Sequence, residues 1–522
     1  MPTAARTLVD QLIALGADVA FGVPGESYLA VLDALYDTPR LRFVTCRHEG
    51  GAAFAAEAHG KLTGRPGVLM VTRGPGVLNA AVGIHTAQQD ETPLLVFVGL
   101  VPRHQRGRDA FQELDLGQAF GSICKWVHEL DQPSRVPEVV SRAWTIARSG
   151  RPGPVMIGLP EDMLDEACDS QLVPPTPHPR ADVGSDTAAE VAFLLGSARP
   201  LAIAGGSRWS EAAIDLLPQV LPGVPLVTGF RRQDLIDHRL PSFAGSLGLG
   251  ADPALVARVA AADLVLAVGD RLDDPTTDGF TLFPPPGAGR RLVHVHPEPR
   301  ELGRVFLPTI SIAAEPEAFL RALPPIAGDR ARSAWTAAAR AGYVAWSATE
   351  SVLDEVARGM REVLPDDAIV TNGAGNFTRP LQRSFAYRRP GRQLAPVGGS
   401  MGYGLPAALA AKLAHPDRVV VCVAGDGDLL MTAQELATVM LEGAAVVVLV
   451  VDNGVYGTIR THQQRRYPGR PIGTTLSNPD FVTFAMSFGM QAERTTTAPD
   501  TVAALRRAVA LDRPALVHLV TE

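Results

Sequence analysis

Two oxygen-bearing side chains come directly after buried strands in the last third of the sequence. An apolar run predicts a strand ending at Ala424, and the sequence GDG at residues 425–427 then predicts a tight turn that opens a helix. A second apolar run predicts a strand that ends at Asp452, with Asn453 next in the chain. Ligands of open parallel sheets bind beyond the carboxyl ends of the strands. Asp426 and Asn453 therefore suit a hard cation such as Mg²⁺, and the glycine N–H groups suit a diphosphate held by that cation.

A second candidate for chemistry is Glu49, which lies between a predicted strand at residues 41–45 and a predicted helix at residues 50–62. The residues that follow it are small and apolar, so its carboxyl group would be poorly solvated and could hydrogen-bond a buried base. The alternative is an ordinary acidic residue at a helix N-terminus, where negative charge is favourable. The segment alone leaves both interpretations open.

Two glycine-rich segments precede the GDG sequence. Residues 398–406 read GGSMGYGLP, which predicts a loop that opens a helix, and residues 373–376 read GAGN. Glycine allows a backbone to approach a ligand closely. For Met401 the alternative role is a flexible side chain that fills space in the core. Each segment is a weak motif when taken alone.

Together these segments resemble the thiamine diphosphate (ThDP) enzymes, whose motif is GDG followed, after one helix and one strand, by Asn. The resemblance implies that Asp426, Asn453 and the backbone carbonyl of Val455 hold Mg²⁺. The sequence RHE at residues 47–49 is similar to the segment that carries the family's catalytic glutamate. The carboxyl group of Glu49 would then hydrogen-bond N1′ of the aminopyrimidine and favour the imino tautomer, whose N4′ removes the C2 proton of the thiazolium.

The same resemblance implies further contacts with the cofactor. The carbonyl of Gly399 would accept from N4′, the N–H of Met401 would donate to N3′, and the Met401 side chain would hold the cofactor in a bent form. The other implied cofactor-binding residues are Gly375, Asn376, Gly425, Gly427, Asp428 and Tyr456. In this family the cofactor lies between the first domain of one chain and the third domain of another. The resemblance thus implies a homodimer or homotetramer with shared active sites.

Within the family, the chain is most similar to the acetolactate synthase group. The similarity lies in FGVPGE at residues 21–26, RGPGVLNAAVGIHTA at 73–87, DAFQELD at 109–115 and NPDFVTFAMSFG at 478–489. It implies a substrate pocket that contains Gly25, Phe111, Gln112, Thr458 and His462. Pyruvate decarboxylases typically carry a His-His pair that delivers a proton, and the sequence has none. The implied reaction is therefore decarboxylation of a pyruvate-like 2-oxo acid with carboligation to a second carbonyl.

Several positions depart from the group's pattern and leave the second substrate open. His462 stands where anabolic synthases have a tryptophan, Thr458 where they have a methionine, and Arg73 where serine is usual. A 2-oxo acid decarboxylase and a benzaldehyde lyase-type acyloin lyase therefore remain alternatives. Flavin-containing relatives carry D-x-D where this chain has HVH at residues 294–296, so we predict that FAD is absent. Such spacing could indicate a metal site, but we interpret the pair as surface histidines.

The order of apolar runs predicts the overall organisation. Short runs of Val, Ile and Leu alternate with Ala-rich helical stretches along the 522 residues. This alternation predicts an α/β fold of three consecutive doubly wound parallel-sheet domains. We expect a pyrimidine-binding domain at residues 1–168, a central nucleotide-like domain at 186–325 and a diphosphate-binding domain at 345–522. A Pro-rich stretch at residues 172–184 is interpreted as a linker.

Net charge, cysteine content and the length of the apolar runs indicate which partners and which cellular location to expect for the chain. The net charge of −7 argues against a nucleic-acid or anionic membrane surface, and the apolar runs are too short to span a bilayer. The 4 cysteines are far apart and lack metal-site spacing. The first ten residues lack an apolar core of signal-peptide length. We therefore expect a cytoplasmic enzyme with a small-molecule 2-oxo acid substrate, and neither a nucleic-acid nor a membrane partner.

Overall fold

The computed structural model describes residues 1–177, 181–196, 199–283 and 291–521. It contains three six-stranded sheets whose neighbouring strands run parallel, with helices in the connections. The α/β fold with three consecutive doubly wound domains is therefore confirmed. Of the expected linker, residues 178–180 lie outside the described residues, and its described remainder forms neither helix nor strand. The limits of the three domains stay a prediction.

The four inner strands of the first sheet have no polar side chain and are buried along their whole length, because helices cover both faces of the sheet. Its strands are β1 (Val19–Gly22), β2 (Arg42–Thr45), β3 (Gly67–Val71), β4 (Leu94–Leu100), β5 (Trp126–Glu129) and β6 (Pro154–Pro160). Its helices are α1 (Ala4–Ala14), α2 (Leu29–Tyr36), α3 (Glu49–Thr63), α4 (Gly74–Gln89), α5 (Leu116–Phe120), α6 (Val136–Arg148) and α7 (Glu161–Leu164).

The central sheet has shorter strands at its edges. Its strands are β7 (Pro200–Ala204), β8 (Leu226–Thr228), β9 (Phe243–Ser246), β10 (Leu264–Val268), β11 (Arg291–Val295) and β12 (Ile310–Ile312). Its helices are α8 (Ser185–Leu195), α9 (Glu211–Val220), α10 (Pro253–Ala261), α11 (Pro316–Ala322) and α12 (Arg330–Ser347). Helix α12 lies between the predicted second and third domains. Its buried residues Ala339 and Tyr343 join the hydrophobic cores of the central sheet.

The third sheet carries the GDG sequence. Its strands are β13 (Ile369–Asn372), β14 (Gln393–Leu394), β15 (Val420–Gly425), β16 (Val446–Asp452), β17 (Gln491–Thr495) and β18 (Ala515–Val520). Its helices are α13 (Val352–Val363), α14 (Thr378–Ser384), α15 (Gly404–Ala414), α16 (Asp426–Leu429), α17 (Leu436–Leu441), α18 (Gly457–Arg466), α19 (Phe481–Ser487) and α20 (Ala498–Ala510).

The strand orders locate the crevices of the sheets. The first sheet has the order β2-β1-β3-β4-β6-β5 and the third has β14-β13-β15-β16-β18-β17, which is the same order when each domain is numbered from its own first strand. The central sheet has the order β12-β11-β10-β7-β8-β9. A crevice opens where the winding direction reverses. In the third sheet this point lies between β13 and β15.

The first and third domains of the chain share one hydrophobic core. Small side chains of α3 and α15 allow the two helices to pack closely, and both belong to a cluster that also contains Val448 of β16 and Val96 of β4. Helix α3 is Ala-rich and ends at Gly64, which takes φ +68° as a left-handed C-cap. The core therefore fixes α3, and with it Glu49 at its first position, against the third domain of the same chain.

The segment after β15 differs from the sequence prediction. Gly425 is the last residue of the strand, and Asp426 and Gly427 open a helix of only 4 residues. A 3₁₀ helix at Ala433–Glu435 and then α17 follow, so the expected single helix is broken. A helix this short contributes little macrodipole, and individual backbone N–H groups must supply most of the attraction for a diphosphate.

Candidate active site

A cavity of about 960 Å³ opens at the crevice of the third sheet. The loops after β13, β15 and β16 form it, together with the glycine-rich loop, by which we mean residues 398–402. The predicted cofactor and metal residues that line it are Gly375, Asn376, Gly399, Met401, Gly425, Asp426, Gly427, Asp428, Asn453, Val455 and Tyr456. The structure thus brings together residues that lie in four separate segments of the chain.

Asp426 is held by an amide that the sequence analysis missed. The side-chain nitrogen of Asn478 donates to Asp426 Oδ2 at 2.8 Å and to Asp452 Oδ1 at 2.9 Å. The backbone N–H of Gly454 donates to the same two oxygens, each at 3.0 Å. Burial, together with the nearby carboxyl group of Asp452, raises the pKa of Asp426. A divalent cation would stabilise the ionised forms of these two adjacent carboxyl groups at the partly buried edge of the sheet.

Asn453 and Val455 lie on the turn that follows β16. Asn453 is exposed, and its Oδ1 accepts from the backbone N–H of Val455 at 3.2 Å. Val455 also forms an isolated bridge with Thr475, which fixes the turn from outside. The residues Asp426, Asn453 and Val455 line the cavity and carry a carboxylate, an amide oxygen and a backbone carbonyl. This donor set fits an oxygen-coordinated cation.

At two positions of the cavity lining, only glycine leaves room for a neighbouring aromatic ring. A Cβ on Gly427 would lie 2.5 Å from Cε1 of Tyr456, and a Cβ on Gly425 would lie 2.8 Å from the ring of Phe377. Side chains here would clash with these rings or fill the space that a ligand needs. The two aromatic rings therefore form walls against which only glycine fits.

The glycine-rich loop is held by the first domain of the same chain. Gly399 takes φ +70°, a conformation that favours glycine, and no atom lies within 4 Å of the Cβ that it lacks. Asp90 accepts from the N–H of Gly398 at 3.1 Å, and the hydroxyl groups of Thr86 and Ser400 are 2.7 Å apart. The loop is thus fixed at several points before a ligand binds.

Asp428 connects the two loops that the resemblance assigns to the cofactor. Its Oδ1 accepts from Ala374 N at 3.0 Å and from Gly402 N at 2.9 Å. Burial raises the pKa of Asp428 to about 6. The missing Cβ of Gly373 would lie 2.0 Å from this carboxylate, so glycine is required there as well. Asp428 therefore sets the distance between the loops in addition to lining the cavity.

Glu49 lies at the first position of α3, as predicted, and has a polar partner. Asn79 on α4 donates to Glu49 Oε2 at 2.9 Å. Asn79 lies within residues 73–87, whose similarity to the acetolactate synthase group predicted no role for it. Within the described residues of one chain, the cavity lining contains neither Glu49 nor any other residue of the first domain.

The predicted substrate-pocket residues are likewise distributed between the third-domain cavity and the first domain. Thr458 lines the cavity, whereas His462 is exposed on α18 outside it. Gly25, Phe111 and Gln112 lie in the first domain, and the Phe111 side chain is 73% exposed. One chain therefore does not bring the five residues together. An exposed large apolar side chain of this kind is typical of a surface that another molecule covers.

The histidine pair of the central domain contradicts the surface interpretation. His294 and His296 are both buried, because loops of the first domain cover the end of β11. Nε2 of His294 lies 2.8 Å from the carbonyl oxygen of Asp270, and Nε2 of His296 lies 3.6 Å from Oε1 of Glu91. In the described part of the chain, no group of three or more His, Cys, Asp or Glu side chains could hold a metal. The pair therefore belongs to a domain interface.

The fold and this cavity define an α/β enzyme with a ligand site at the edge of its third sheet. Three models of known protein families match the chain. The thiamine pyrophosphate enzyme N-terminal TPP binding domain matches residues 2–119, the central domain 187–323 and the C-terminal TPP binding domain 373–519. The chain therefore belongs to the thiamine pyrophosphate (ThDP) enzyme family.

Curated relatives match over almost the whole chain. An acetolactate synthase large subunit of Parasynechococcus marenigrum is 33% identical over 94% of this chain and 83% of its own length. An acetolactate synthase of Mycobacterium bovis is 32% identical over 99% and 88%. The acetolactate synthase isozyme 2 large subunit of Escherichia coli is 30% identical over 99% and 95%. Within the family, these relatives place the chain in the acetolactate synthase-like group.

None of the described helices combines the length and the apolar composition that spanning a lipid bilayer requires.

Proposed function

We propose that the protein decarboxylates a pyruvate-like 2-oxo acid and joins the resulting two-carbon unit to a second carbonyl compound, as an acetolactate synthase does. The observation that carries this proposal is the convergence of Asp426, Asn453 and the glycine-rich loop on one cavity. ThDP, when bound, supplies the electron sink for loss of CO₂. The residues of the chain itself bind and orient the cofactor and the substrate and supply protons to them.

We further propose that Asp426, Asn453 and the carbonyl of Val455 hold Mg²⁺, which in turn binds the diphosphate. The donor set supports this, because carboxylate, amide and carbonyl oxygens are what Mg²⁺ prefers. Asn478 orients Asp426 through the 2.8 Å hydrogen bond. Such an outer partner fixes the direction of the metal ligand.

The active site would be shared between two chains. Glu49, Phe111 and Gln112 lie outside the cavity of their own chain, and Phe111 is largely exposed. A homodimer or homotetramer would place the first domain of one chain over the third-domain cavity of its partner. Glu49 would then hold a proton at N1′ of the partner's cofactor, and Phe111 would exclude water from the acceptor site.

We propose that FAD is not needed. The crevice of the central sheet lies between β7 and β10, and the carboxyl group of Asp270 fills it: a Cβ on Gly205 or Gly229 would lie 1.9 or 2.0 Å from Asp270 Oδ2. The cavity that remains beside it is about 20 Å³, and Glu91 and Asp273 also line it. Arg232 and Arg271 line it too, so the support for this proposal is the volume of the space, which is far smaller than that of a nucleotide.

Product identification tests the proposed reaction. Purified protein is incubated with ThDP, Mg²⁺ and pyruvate, without flavin, and the products are followed by NMR. The proposal predicts acetolactate. Acetaldehyde alone would instead identify a decarboxylase, and cleavage of an added acyloin without CO₂ release would identify a lyase. A cytoplasmic location and the absence of nucleic-acid partners stay predictions.

A further inference from the structure

A carboxylate from the third domain is buried against the turn that carries Glu49. It belongs to Glu435, the last residue of the 3₁₀ helix Ala433–Glu435. Glu435 itself is fully buried, with an exposure of 0%. Oε1 and Oε2 accept from the backbone N–H of Arg47 at 3.1 and 3.2 Å, and Oε1 accepts from that of His48 at 3.0 Å. These two N–H groups immediately precede Glu49 in the chain.

The charge of Glu435 is balanced by the turn itself. In the described part of the chain, no arginine or lysine forms an ion pair with it. Burial raises its pKa, while the hydroxyl of Thr438, which donates at 2.6 Å, and the N–H groups of Arg47 and His48 oppose that rise. The N-terminus of α3, a helix of 15 residues, adds a favourable dipole. A buried carboxylate is costly unless it is hydrogen-bonded, and the hydrogen bonds that satisfy Glu435 also hold the turn at residues 47–48.

The first turn of α3 is shaped to admit this carboxylate. A Cβ on Gly51 would lie 2.5 Å from Glu435 Oε1 and 2.7 Å from its Cγ, so any larger residue would push Glu435 away. On the other side of Glu49, Nδ1 of His48 accepts from the N–H of Gly50 at 3.0 Å. The backbone around Glu49 is therefore fixed before and after it.

We propose that Glu435 is a positioning residue, which fixes the backbone of residues 47–48 and so sets the direction in which Glu49 reaches the cofactor. This inference rests on the proposed function. Glu435 sets the backbone, whereas Asn79 holds the tip of the Glu49 side chain through its 2.9 Å hydrogen bond. Misplacing a catalytic group by about 1 Å can cost a hundredfold in rate.

The test is the exchange of the C2 proton of bound ThDP for deuterium, measured by quenched-flow NMR with ThDP and Mg²⁺ alone. Glu435→Gln should slow exchange about ten- to a hundredfold, because an amide nitrogen cannot accept from the turn. Its ThDP affinity by calorimetry should stay near that of the wild type, although the lost hydrogen bond should lower its melting temperature. Glu435→Asp keeps the charge on a shorter side chain, and its exchange rate should fall between the two.

Glu442→Gln is the matched control. Glu442 also joins the third domain to the first, through an ion pair with Arg42, but it does not touch residues 47–48. It should exchange at the wild-type rate. A wild-type rate in Glu435→Gln, or in Glu435→Asp if the Gln variant does not fold, would overturn the proposal. Parallel loss of ThDP affinity and melting temperature would also overturn it, since that result indicates a merely structural role. Equal exchange in the wild type and Glu49→Gln would instead contradict the proposed function.

Discussion

Two buried tyrosines allow a matched test of the contact between the first and third domains, because only one of them forms a hydrogen bond across it. Tyr403 follows the glycine-rich loop, and its hydroxyl donates to Oε2 of the fully buried Glu57 at 2.6 Å. Thr92 donates to the other oxygen at 2.6 Å, and Lys61 lies 3.6 Å away. Tyr387 is equally buried, but its hydroxyl has no hydrogen-bond partner among the described residues.

The same change, Tyr to Phe, should therefore have opposite effects at the two positions. In Tyr403→Phe, Glu57 loses a donor in a site that water does not reach. Hydrogen bonds to charged groups contribute about 1.5–3 kcal/mol, so the free energy of unfolding should fall by about that amount. In Tyr387→Phe an unsatisfied hydroxyl leaves the core, and stability should stay unchanged or rise by up to about 2 kcal/mol.

Urea unfolding at neutral pH, followed by circular dichroism at one protein concentration and without ThDP, measures both effects. Cofactor is left out because ligand binding would add to the apparent stability. The midpoint for Tyr403→Phe should lie below that of the wild type, and the midpoint for Tyr387→Phe at or above it. Equal midpoints for the two variants, or a lower midpoint for Tyr387→Phe, would contradict the different roles assigned to the two hydroxyl groups.

Three further predictions concern charge and cofactor. Burial and the nearby Asp273 raise the pKa of Asp270 to about 7, so the folded chain binds this proton more tightly than the unfolded chain and loses stability as pH rises from about 4 to 7. Asp270→Asn should accordingly be more stable than the wild type at pH 8 and lose most of that advantage at pH 5; a difference independent of pH would contradict this. Asp426→Ala should abolish Mg²⁺-dependent ThDP binding in calorimetry, and undiminished binding would remove Asp426 from the metal site. The purified protein should lack the visible absorption of flavin, and stoichiometric bound FAD would contradict the interpretation of the central crevice.

The part of the site that follows from strand order was predictable from sequence. Asp426 and Asn453 each follow an apolar run, and parallel strands end at one edge of a sheet, so their proximity required no knowledge of the rest of the chain. The position of Glu49 between a strand and a helix was predictable in the same way, whereas its catalytic role stays a prediction. In each case the local pattern determines both the element and the end at which the side chain lies.

Residues that act across domains were not predictable. Glu435 contacts a turn almost four hundred positions earlier, and no local pattern in residues 433–435 indicates that contact. The histidines at 294 and 296 were assigned to the surface because their spacing shows only that they share a face, not that the first domain covers it. Asn478 lay in a segment quoted for its similarity, yet its hydrogen bonds to two aspartates depend on the fold of a distant loop.

In the proposed dimer, Glu49 of one chain serves the cavity of its partner. Co-expression of Glu49→Gln with Asp426→Ala, followed by measurement of pyruvate consumption with ThDP and Mg²⁺, tests this sharing of the site. Each variant alone should be nearly inactive. Random pairing makes half of the dimers hybrid, and each hybrid has one site with both residues intact, so the mixture should recover about a quarter of wild-type activity. A mixture that stays as inactive as the separate variants would contradict the shared site.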